Sequence, residues 1–319
     1  MTPRGEADIL ENTLRKQGPL LDILLKDRTT GRNIIWATDS YVTTGKRDDP
    51  FLPKKPMRSE LVTGKYGKLI QPRAVKSKEE QKRRTKDKAE VFTPLRIVDE
   101  MNKAVDWAGD RQVVDRDNWQ DYVRELKLEI TCGEAPFIVS RYDPTAYGVV
   151  KVLSKRVGFL DHKLRAVSEF CDNPTDWLKW ALEAYKASYG YEWQGDNLLI
   201  ARENLLYTLR DYYKAKFGRN PSLKIQLEFA EVISWNIWQM DGLKYVVPMS
   251  CRQTIQKPEA APKNQLSLLP VEKPKPIKLE CEGCRLNLPL AHTGRYAKIK
   301  DWSRGKNGVS IKFQDLLKC

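Results

Sequence analysis

The amino-acid sequence predicts an α/β protein in which helices alternate with the strands of an open sheet. Between residues 88 and 250, segments with helical spacing of apolar residues alternate with short runs of period two. Glycine and proline punctuate these segments where helices and strands are expected to end. The 319 residues include 41% hydrophobic and 31% charged side chains, which suffices for a packed core and excludes a fibrous or wholly disordered chain.

The N-terminal part is predicted to hold a helix, a strand and a loop. Residues 20–25 form a compact apolar run that favours a helix, and residues 33–38 are typical of a short strand after a turn. Residues 45–72 are rich in proline, glycine and lysine. We therefore expect a loop or linker there, with little packing of its own.

A basic segment follows at residues 73–88, where good helix formers carry Lys and Arg side chains interleaved with acidic ones. Two interpretations stay open: a solvated helix with ion pairs one turn apart, or a helix face that contacts phosphates. The whole chain has 56 Lys and Arg against 42 Asp and Glu, a net charge of +14. This balance favours a polyanionic partner such as nucleic acid.

Between residues 88 and 250 the pattern predicts one clear strand and four helices. Residues 126–131 alternate apolar and polar side chains before Cys132 and Gly133, which indicates a strand that runs into a tight turn. The helices start from capping residues or apolar stripes and end at glycine where one is present. They are expected after Thr93-Pro94, at residues 177–185 with Gly190 as the closing residue, at residues 197–217 before Gly218, and after Pro221-Ser222.

Three positions after predicted strands have side chains or backbone suited to a nucleotide. Gly133 allows the backbone to approach a ligand closely. Glu192 can accept hydrogen bonds from both hydroxyls of a ribose, because a carboxylate has two acceptor oxygens. Asp241, placed before a turn, can bond the exocyclic amine of adenine. The alternative is an α/β domain that resembles nucleotide-binding domains but has kept no chemical activity.

These motifs resemble those of bacterial N6-adenine DNA methyltransferases, notably the modification (M) subunits of restriction-modification systems. Residues 90–94, Glu-Val-Phe-Thr-Pro, resemble the entry motif of that family. Residues 129–133, Glu-Ile-Thr-Cys-Gly, with Phe137 are similar to its loop for S-adenosylmethionine. Residues 189–192, Tyr-Gly-Tyr-Glu, resemble its ribose-binding strand, and Asp241 matches its adenine-side aspartate loosely. The resemblance follows the family's order and spans residues 86–250.

The resemblance implies a Rossmann-like, S-adenosylmethionine-dependent methyltransferase sheet in residues 86–250. Residues 1–85 would form an N-terminal extension with the basic helix, and residues 251–280 form a Pro/Lys-rich linker. Residues 281–319 would be a small zinc-knuckle-like module. The residues implied to bind the cofactor are Phe92, Thr93, Pro94, Glu129, Thr131, Cys132, Gly133, Glu134, Glu192 and Asp241.

Two departures from the family bear on catalysis. The second glycine of the cofactor loop is replaced by Ala135, between Glu134 and Pro136. The Asn/Asp-Pro-Pro-Tyr/Phe motif, which polarises the adenine amine and stacks the flipped base, is missing after Asp241. The catalytic residues are therefore unknown, and transfer would require acceptors from elsewhere in the chain or from another subunit.

The C-terminal cysteines have the spacing of half a zinc site. Cys281 and Cys284 form a Cys-x-x-Cys pair, and His292 is a candidate third ligand. Cys319, Cys251 or a partner's residue are the candidates for the fourth ligand. The alternative is a pair of packed or free cysteines.

The sequence also suggests partners and a compartment. Residues 265–269, Gln-Leu-Ser-Leu-Leu, resemble peptides that dock on the bacterial sliding clamp, although packing on the chain's own domain is the favoured alternative. No apolar run reaches the length of a membrane span and the first residues lack the apolar core of a signal peptide, so we expect a cytoplasmic protein without membrane contact.

The primary functional hypothesis is a DNA (adenine-N6) methyltransferase or the S-adenosylmethionine-binding modification subunit of a restriction-modification system. Its partners would be DNA and other subunits of that system. Phosphate contacts are expected from the basic segment and from the tail side chains Arg295, Lys298, Lys300, Arg304 and Lys306. The rival is a non-catalytic DNA-binding or assembly protein that retains a degenerate methyltransferase fold. A nuclease ranks last, because no acidic cluster is evident.

Overall fold

The computed structural model describes residues 14–107, 114–146, 149–256, 277–305 and 307–318. Its centre is a three-stranded parallel sheet with the order β1-β2-β3. The strands are β1 (Lys127–Glu129), β2 (Ser188–Glu192) and β3 (Ile237–Gln239). In the register, Leu128 lies opposite Tyr189, and Tyr191 lies opposite Trp238. The predicted α/β class is confirmed.

Helices connect and surround these strands. They are α1 (Gly18–Leu24), α2 (Lys78–Lys88), α3 (Leu95–Trp107), α4 (Trp119–Arg124), α5 (Phe159–Phe170), α6 (Pro174–Lys186), α7 (Gly195–Phe217), α8 (Leu223–Asn236) and α9 (Glu282–Leu286). Two helices lie between consecutive strands of the sheet, α5 and α6 before β2, and α7 and α8 before β3. Helical crossovers of this kind are what parallel strands require.

Local capping chemistry sets several helix ends. The side chain of Asn173 accepts a hydrogen bond from the Asp176 amide at the start of α6, and Ser222 does the same for Ile225 at the start of α8. Gly218 ends α7 in the left-handed conformation, with φ of 72°. The predicted ends at Gly218 and Ser222 are confirmed.

Gly190 does not end a helix as predicted. Helix α6 stops at Lys186, and Gly190 lies inside β2. A Cβ atom at this position would lie 2.9 Å from Ile138 Cδ1 and 3.3 Å from the Cys132 side chain. The glycine is therefore required by the close packing of the turn after β1 against β2.

The two faces of the sheet are covered differently. On one face, Ile237 belongs to the main core, to which helices α5 to α8 contribute most side chains. On the other face, Tyr191, Trp238 and Met240 pack against Ala297 and Ile299. The covering element on this second face is the antiparallel hairpin of β6 (Lys298–Asp301) and β7 (Val309–Lys312), followed by a 3-10 turn at Phe313–Lys318.

Residues 45–72 do not form the loosely packed linker that their composition predicts. Phe51, Met57, Val62 and Ile70 are buried in the main core. The ring centroid of Phe51 lies 5.3 Å from that of Trp36. Apolar side chains between the turn residues hold this irregular backbone against the helices. A composition rich in turn residues predicts the turns but not this packing.

Residues 33–38 form isolated bridges where a strand is predicted. Asn33 bridges to Lys26, and Ile35 bridges to Pro56. Ala37 adopts a φ of 50°, which interrupts extended backbone. The segment instead crosses the ends of β2 and β3, where Gln239 Nε2 donates to the Ile35 carbonyl at 2.8 Å.

Two further findings complete the architecture. A second antiparallel pair joins β4 (Thr254–Gln256) to β5 (Ile277–Leu279). Within the part of the chain that the structure describes, no helix combines the length and the hydropathy needed to cross a bilayer.

Candidate functional sites

Four side chains from two separate segments converge near the C-terminus. His292 Nδ1 lies 3.6 Å from the sulfur of each of Cys251, Cys281 and Cys284. All four ligand atoms lie within 4.8 Å of one another. A tetrahedral zinc ion, with Zn–S distances of about 2.3 Å and Zn–N distances of about 2.0 Å, places sulfur and nitrogen about 3.6 Å apart. The donor set therefore fits a metal ion of this kind.

The structure selects the fourth ligand from the candidates that the sequence left open. Cys281 is the N-cap residue of α9, and Cys284 lies inside this short helix. Cys251 arrives from the segment between β3 and β4, before residues 257–276, which lie outside the described residues. Cys319 also lies outside them. The Cys/His cluster thus joins segments on both sides of that stretch.

Backbone contacts hold the cluster in place. The Thr293 amide donates to Cys281 Sγ at 3.2 Å, and the His292 amide donates to the Tyr296 hydroxyl at 2.9 Å. Gly283 packs directly against the ring, since a Cβ atom there would lie 2.7 Å from His292 Nδ1. Such outer contacts fix the orientation of metal ligands.

The thiols of the cluster differ in acidity. Burial alone would raise the pKa of Cys281, but hydrogen bonds to its sulfur from Thr293, Cys284 and His292 lower that pKa to about 5. Burial and the neighbouring thiols raise the pKa of Cys251 to about 12. Cys281 is therefore a thiolate at neutral pH, and binding of a metal would displace the proton of Cys251.

A second candidate site lies at the carboxyl edge of the sheet. The Gly133 amide, in the turn after β1, donates to Glu192 Oε2 at 2.8 Å. The Gln194 amide donates to Glu192 Oε1 at 3.0 Å, and the Cys132 amide donates to the Tyr191 carbonyl. The turn after β1 and the tip of β2, which are 59 residues apart in the chain, are thus in direct contact.

The turn after β1 is tightly wound. Thr131, Gly133 and Ala135 have φ angles of 46°, 54° and 63°. Ala135 stands where the resembling family has its second glycine, and it adopts the left-handed conformation that glycine favours. A side chain in that conformation costs roughly 1 kcal/mol. The carboxylate of Glu129 offsets part of this cost by accepting hydrogen bonds from the amides of Phe137 and Ile138.

The aromatic ring of Phe92 lies over this turn. A Cβ atom on Gly133 would lie 2.8 Å from Phe92 Cε1. The Arg73 guanidinium carbon stands 5.2 Å from the ring centroid of Phe92. Thr93 is half-buried and Pro94 is exposed. The predicted entry motif and the predicted cofactor loop are therefore neighbours.

Glu134 and Asp241, two further predicted site residues, make contacts within the protein. The carboxylate of Glu134 accepts hydrogen bonds from the Arg73 amide at 2.6 Å and from the Tyr142 hydroxyl at 2.6 Å. Asp241 Oδ1 accepts hydrogen bonds from the amides of Leu243 and Lys244, in the turn after β3. Glu134 thus stabilises the turn after β1, and Asp241 stabilises the turn after β3.

Glu192 can still accept hydrogen bonds from a ligand. Each of its carboxylate oxygens accepts one bond from a backbone amide and has a second lone-pair direction. Two ribose hydroxyls need two such acceptor positions. The two remaining acceptor positions of the buried Glu192 thus equal in number the ribose hydroxyls of the group that the resemblance implies.

The stability of the protein is expected to depend on pH through Glu192. Burial, only partly opposed by the two amide hydrogen bonds, raises the pKa of Glu192 to about 7. The folded state thus holds this proton more tightly than the unfolded state, so stability falls as pH rises from about 4.5 to 7. The free energy of unfolding of Glu192→Gln minus that of wild type should therefore rise by about 2–3 kcal/mol from pH 5 to pH 8.

Urea unfolding of both proteins at a series of pH values measures this difference. Glu228→Gln on α8 is the matched control, because Glu228 is exposed. An unchanged difference between Glu192→Gln and wild type from pH 5 to pH 8 would contradict the prediction.

A buried ionic network was missed by sequence reasoning. Arg84, in the basic helix α2, is 1% exposed. Its Nε donates to Glu90 Oε2 at 2.8 Å, and its Nη2 donates to Asp196 Oδ2 at 2.7 Å. The Tyr41 hydroxyl also donates to Asp196 Oδ2, at 2.7 Å. The network ties α2 to the first turn of α7.

Part of the basic segment is therefore unavailable to phosphates. Arg84 and Lys76 are buried, and the half-buried Arg73 pairs with Glu90 at 3.3 Å. Lys78, Lys82, Arg83 and Lys86 are exposed. Helical spacing alone does not reveal which side of this almost wholly polar helix faces inward, since no apolar stripe marks it.

The fold and the sites together define an α/β protein with a parallel sheet and a Cys/His cluster that could hold a metal ion. Comparison with protein-family models, with curated proteins and with solved structures gives no significant match to this chain.

Proposed function

We propose that this chain is the S-adenosylmethionine-binding part of a DNA adenine-N6 methyltransferase, of the modification-subunit kind. The observation that carries the proposal is the 2.8 Å hydrogen bond from the Gly133 amide to the Glu192 carboxylate. It brings a glycine turn and an acidic strand tip together at the carboxyl edge of parallel strands. Nucleotide ligands of open α/β sheets bind at this edge.

The neighbouring residues support the same ligand. Phe92 covers the glycine turn, and Asp241 follows β3, the next strand of the sheet. In this assignment Glu192 binds the ribose, Asp241 lies toward the adenine and Phe92 lies toward the methionine end. S-adenosylmethionine, when bound, supplies an activated methyl group, so the protein's task is to position the acceptor base.

DNA is the proposed partner because cationic side chains remain exposed on two parts of the surface. Lys78, Lys82, Arg83 and Lys86 lie on α2, and Arg295, Lys298 and Arg304 lie near the β6–β7 hairpin. When such side chains contact phosphates, counterions are released from the DNA, and the net charge of +14 on the chain favours this association. Lys306 and the proposed clamp-docking peptide at residues 265–269 lie outside the described residues.

Zinc is the proposed occupant of the Cys/His cluster. Four protein ligands close the coordination shell, which is typical of structural zinc and leaves no open position for a substrate. The ion would hold the residues around α9 against the segment at Cys251.

Calorimetry with S-adenosylmethionine tests the proposal. We expect saturable binding to the intact chain at pH 8, above the raised pKa of Glu192, and Glu192→Ala should weaken it by about tenfold or more, because two hydrogen bonds to the ionised carboxylate are lost. Glu228→Ala removes an exposed carboxylate and should bind as wild type does. No heat of binding with a correctly folded wild-type protein would overturn the proposal.

A second function is favoured by one specific observation, the missing Asn/Asp-Pro-Pro-Tyr/Phe motif after Asp241. A non-catalytic DNA-binding or assembly protein would not need that motif. DNA binding that Glu192→Ala leaves unchanged, together with no binding of S-adenosylmethionine, would favour this function. Methyl incorporation into DNA would favour the enzyme.

A further inference from the structure

Strand β1 has one open side. It lies at the edge of the sheet, and no described strand other than β2 pairs with it. In a parallel ladder, alternate residues of a strand bond to the neighbouring strand. The Lys127 amide donates to the Ala187 carbonyl at 3.0 Å, so Lys127 and Glu129 bond toward β2. The amide and carbonyl of Leu128 therefore point to the open side.

An apolar stripe runs along this edge. Leu126, Leu128 and Ile130 are 74%, 43% and 65% exposed. Residues two apart in extended backbone lie on one face, so Leu126 and Leu128 share a face, and Ile130 follows at the start of the turn. Edge strands of monomeric proteins are commonly protected by lysine, proline or a bulge. Shortness also protects an edge, and β1 has only three residues, but its exposed positions and its two flanks have no lysine or proline.

An apolar cavity adjoins the stripe. Its volume is about 520 Å³, and it lies between the outer face of the sheet and the β6–β7 hairpin. The apolar side chains that line it include Leu128, Tyr189, Trp238, Ile299, Trp302 and Phe313. Recognition by strand addition uses main-chain hydrogen bonds for affinity and such pockets for alternate side chains.

The charges around the cavity identify the chemistry of the partner. Arg124, Lys186 and Lys300 line it, against Glu183, which pairs with both Arg124 and Lys186, and Asp301, so one positive charge is in excess. The buried Lys127 on its wall pairs with Asp106. Two copies of this chain paired edge to edge would bring these cationic rims together, and like charges across paired strands are destabilising. An acidic partner is therefore favoured over a second copy.

We propose that β1 accepts a strand from a different polypeptide, apolar at alternate positions and flanked by acidic residues. The added strand would pair with the backbone of Leu128 and place one side chain in the cavity. A parallel strand there would end beside the Gly133 turn. If the proposed function holds, this is where the base-positioning acceptors that this chain lacks are needed, and the partner would supply them.

Fluorescence anisotropy with two synthetic peptides on the full chain tests the proposal. The probe is labelled Asp-Glu-Val-Thr-Val-Thr-Val-Glu-Asp, and the comparison peptide has lysine at the four acidic positions. We expect the acidic peptide to bind about tenfold more tightly than the lysine peptide. Leu128→Pro removes an outward amide without disturbing the β1–β2 bonds and should weaken binding about tenfold. Leu128→Thr keeps the amide and should bind within about threefold of wild type.

Three outcomes would overturn the proposal: no binding of either peptide, equal binding to wild type and Leu128→Pro, or a wild-type dimer in light scattering that Leu128→Pro converts to a monomer. The last outcome would assign the edge to a second copy. If Leu128→Pro loses helical circular dichroism, Leu128→Glu replaces it, because a carboxylate at this position repels the acidic probe and should weaken its binding to a similar degree. Binding of S-adenosylmethionine to the variant is measured separately, so failure of the cofactor proposal is distinguishable from failure of this one.

Discussion

With zinc in the Cys/His cluster, as proposed, replacement of Cys281 by alanine is expected to release one equivalent of the ion and to unfold the region around the cluster. Cys281 is buried, and its sulfur lies 3.6 Å from His292 Nδ1 and 3.2 Å from the Thr293 amide. Cys281 is the N-cap of α9, which has only five residues. A helix this short is not stable through its own hydrogen bonds. Loss of a structural metal is among the few single changes that cost more than about 4 kcal/mol.

The expected loss is local. The β6–β7 hairpin, which packs on Tyr191 and Trp238, should become more exposed to solvent. Helices α5 to α8 should stay folded, because they have a core of their own. Hydrogen exchange at Lys298–Asp301 and Val309–Lys312 measures the hairpin, and atomic absorption counts the metal. Chelation of the wild-type protein should reproduce the effect of the substitution.

Cys171→Ala is the matched control. Cys171 is equally buried but lies beyond α5, away from the cluster. It should keep its zinc and its hairpin protection. A Cys281→Ala protein with wild-type hydrogen exchange would show that the cluster does not stabilise this region.

Replacement of Arg84 by alanine is expected to reduce the free energy of unfolding by about 3–5 kcal/mol, because two buried carboxylates lose their cation. Arg84 is 1% exposed and bonds to both Glu90 and Asp196. Arg83→Ala on the same helix is the control. Arg83 is exposed, so its loss should cost less than about 0.5 kcal/mol.

The destabilisation caused by Arg84→Ala should also depend on pH. Burial would raise the pKa of Asp196, but the charges of Arg84 and Lys76 lower it, and Arg84 lowers the pKa of Glu90 likewise. A carboxylate with a lowered folded pKa stabilises the protein above its unfolded pKa and loses this contribution as pH falls. The difference between wild type and Arg84→Ala should therefore be largest at neutral pH and shrink below about pH 4.

Urea unfolding at pH 7 and pH 3.5 measures both effects. Equal destabilisation by Arg84→Ala and Arg83→Ala at pH 7 would contradict the role given to the network. A cost that grows as the pH falls would contradict the sign of the linkage.

Local chemistry made parts of this structure predictable. Gly218 and Ser222 end and start helices through backbone preferences and hydrogen bonds within a few residues, and both were identified from sequence. The spacing of Cys281 and Cys284 likewise predicts a metal knuckle, since two thiolates on one turn can share an ion. These features depend only on neighbours in the chain.

Other features depend on contacts between distant segments. The sequence pattern predicts a helix end at Gly190, but packing against Cys132 and Ile138 places this residue in β2. The composition of residues 45–72 predicts a loop or linker, but their apolar side chains lie in the main core. The inward direction of Arg84 is decided by Asp196, which is 112 residues away.

By itself, the sequence determined the α/β class, the helix ends at Gly218 and Ser222, and three of the four members of the Cys/His cluster, because each is set by periodicity or by spacing within a few residues. Only the tertiary structure decided that Cys251 completes the cluster, that Gly133 bonds to Glu192, and that β1 has an open side. Each of these depends on how segments far apart in the chain pack, and packing is decided by the shape and burial of all the elements together.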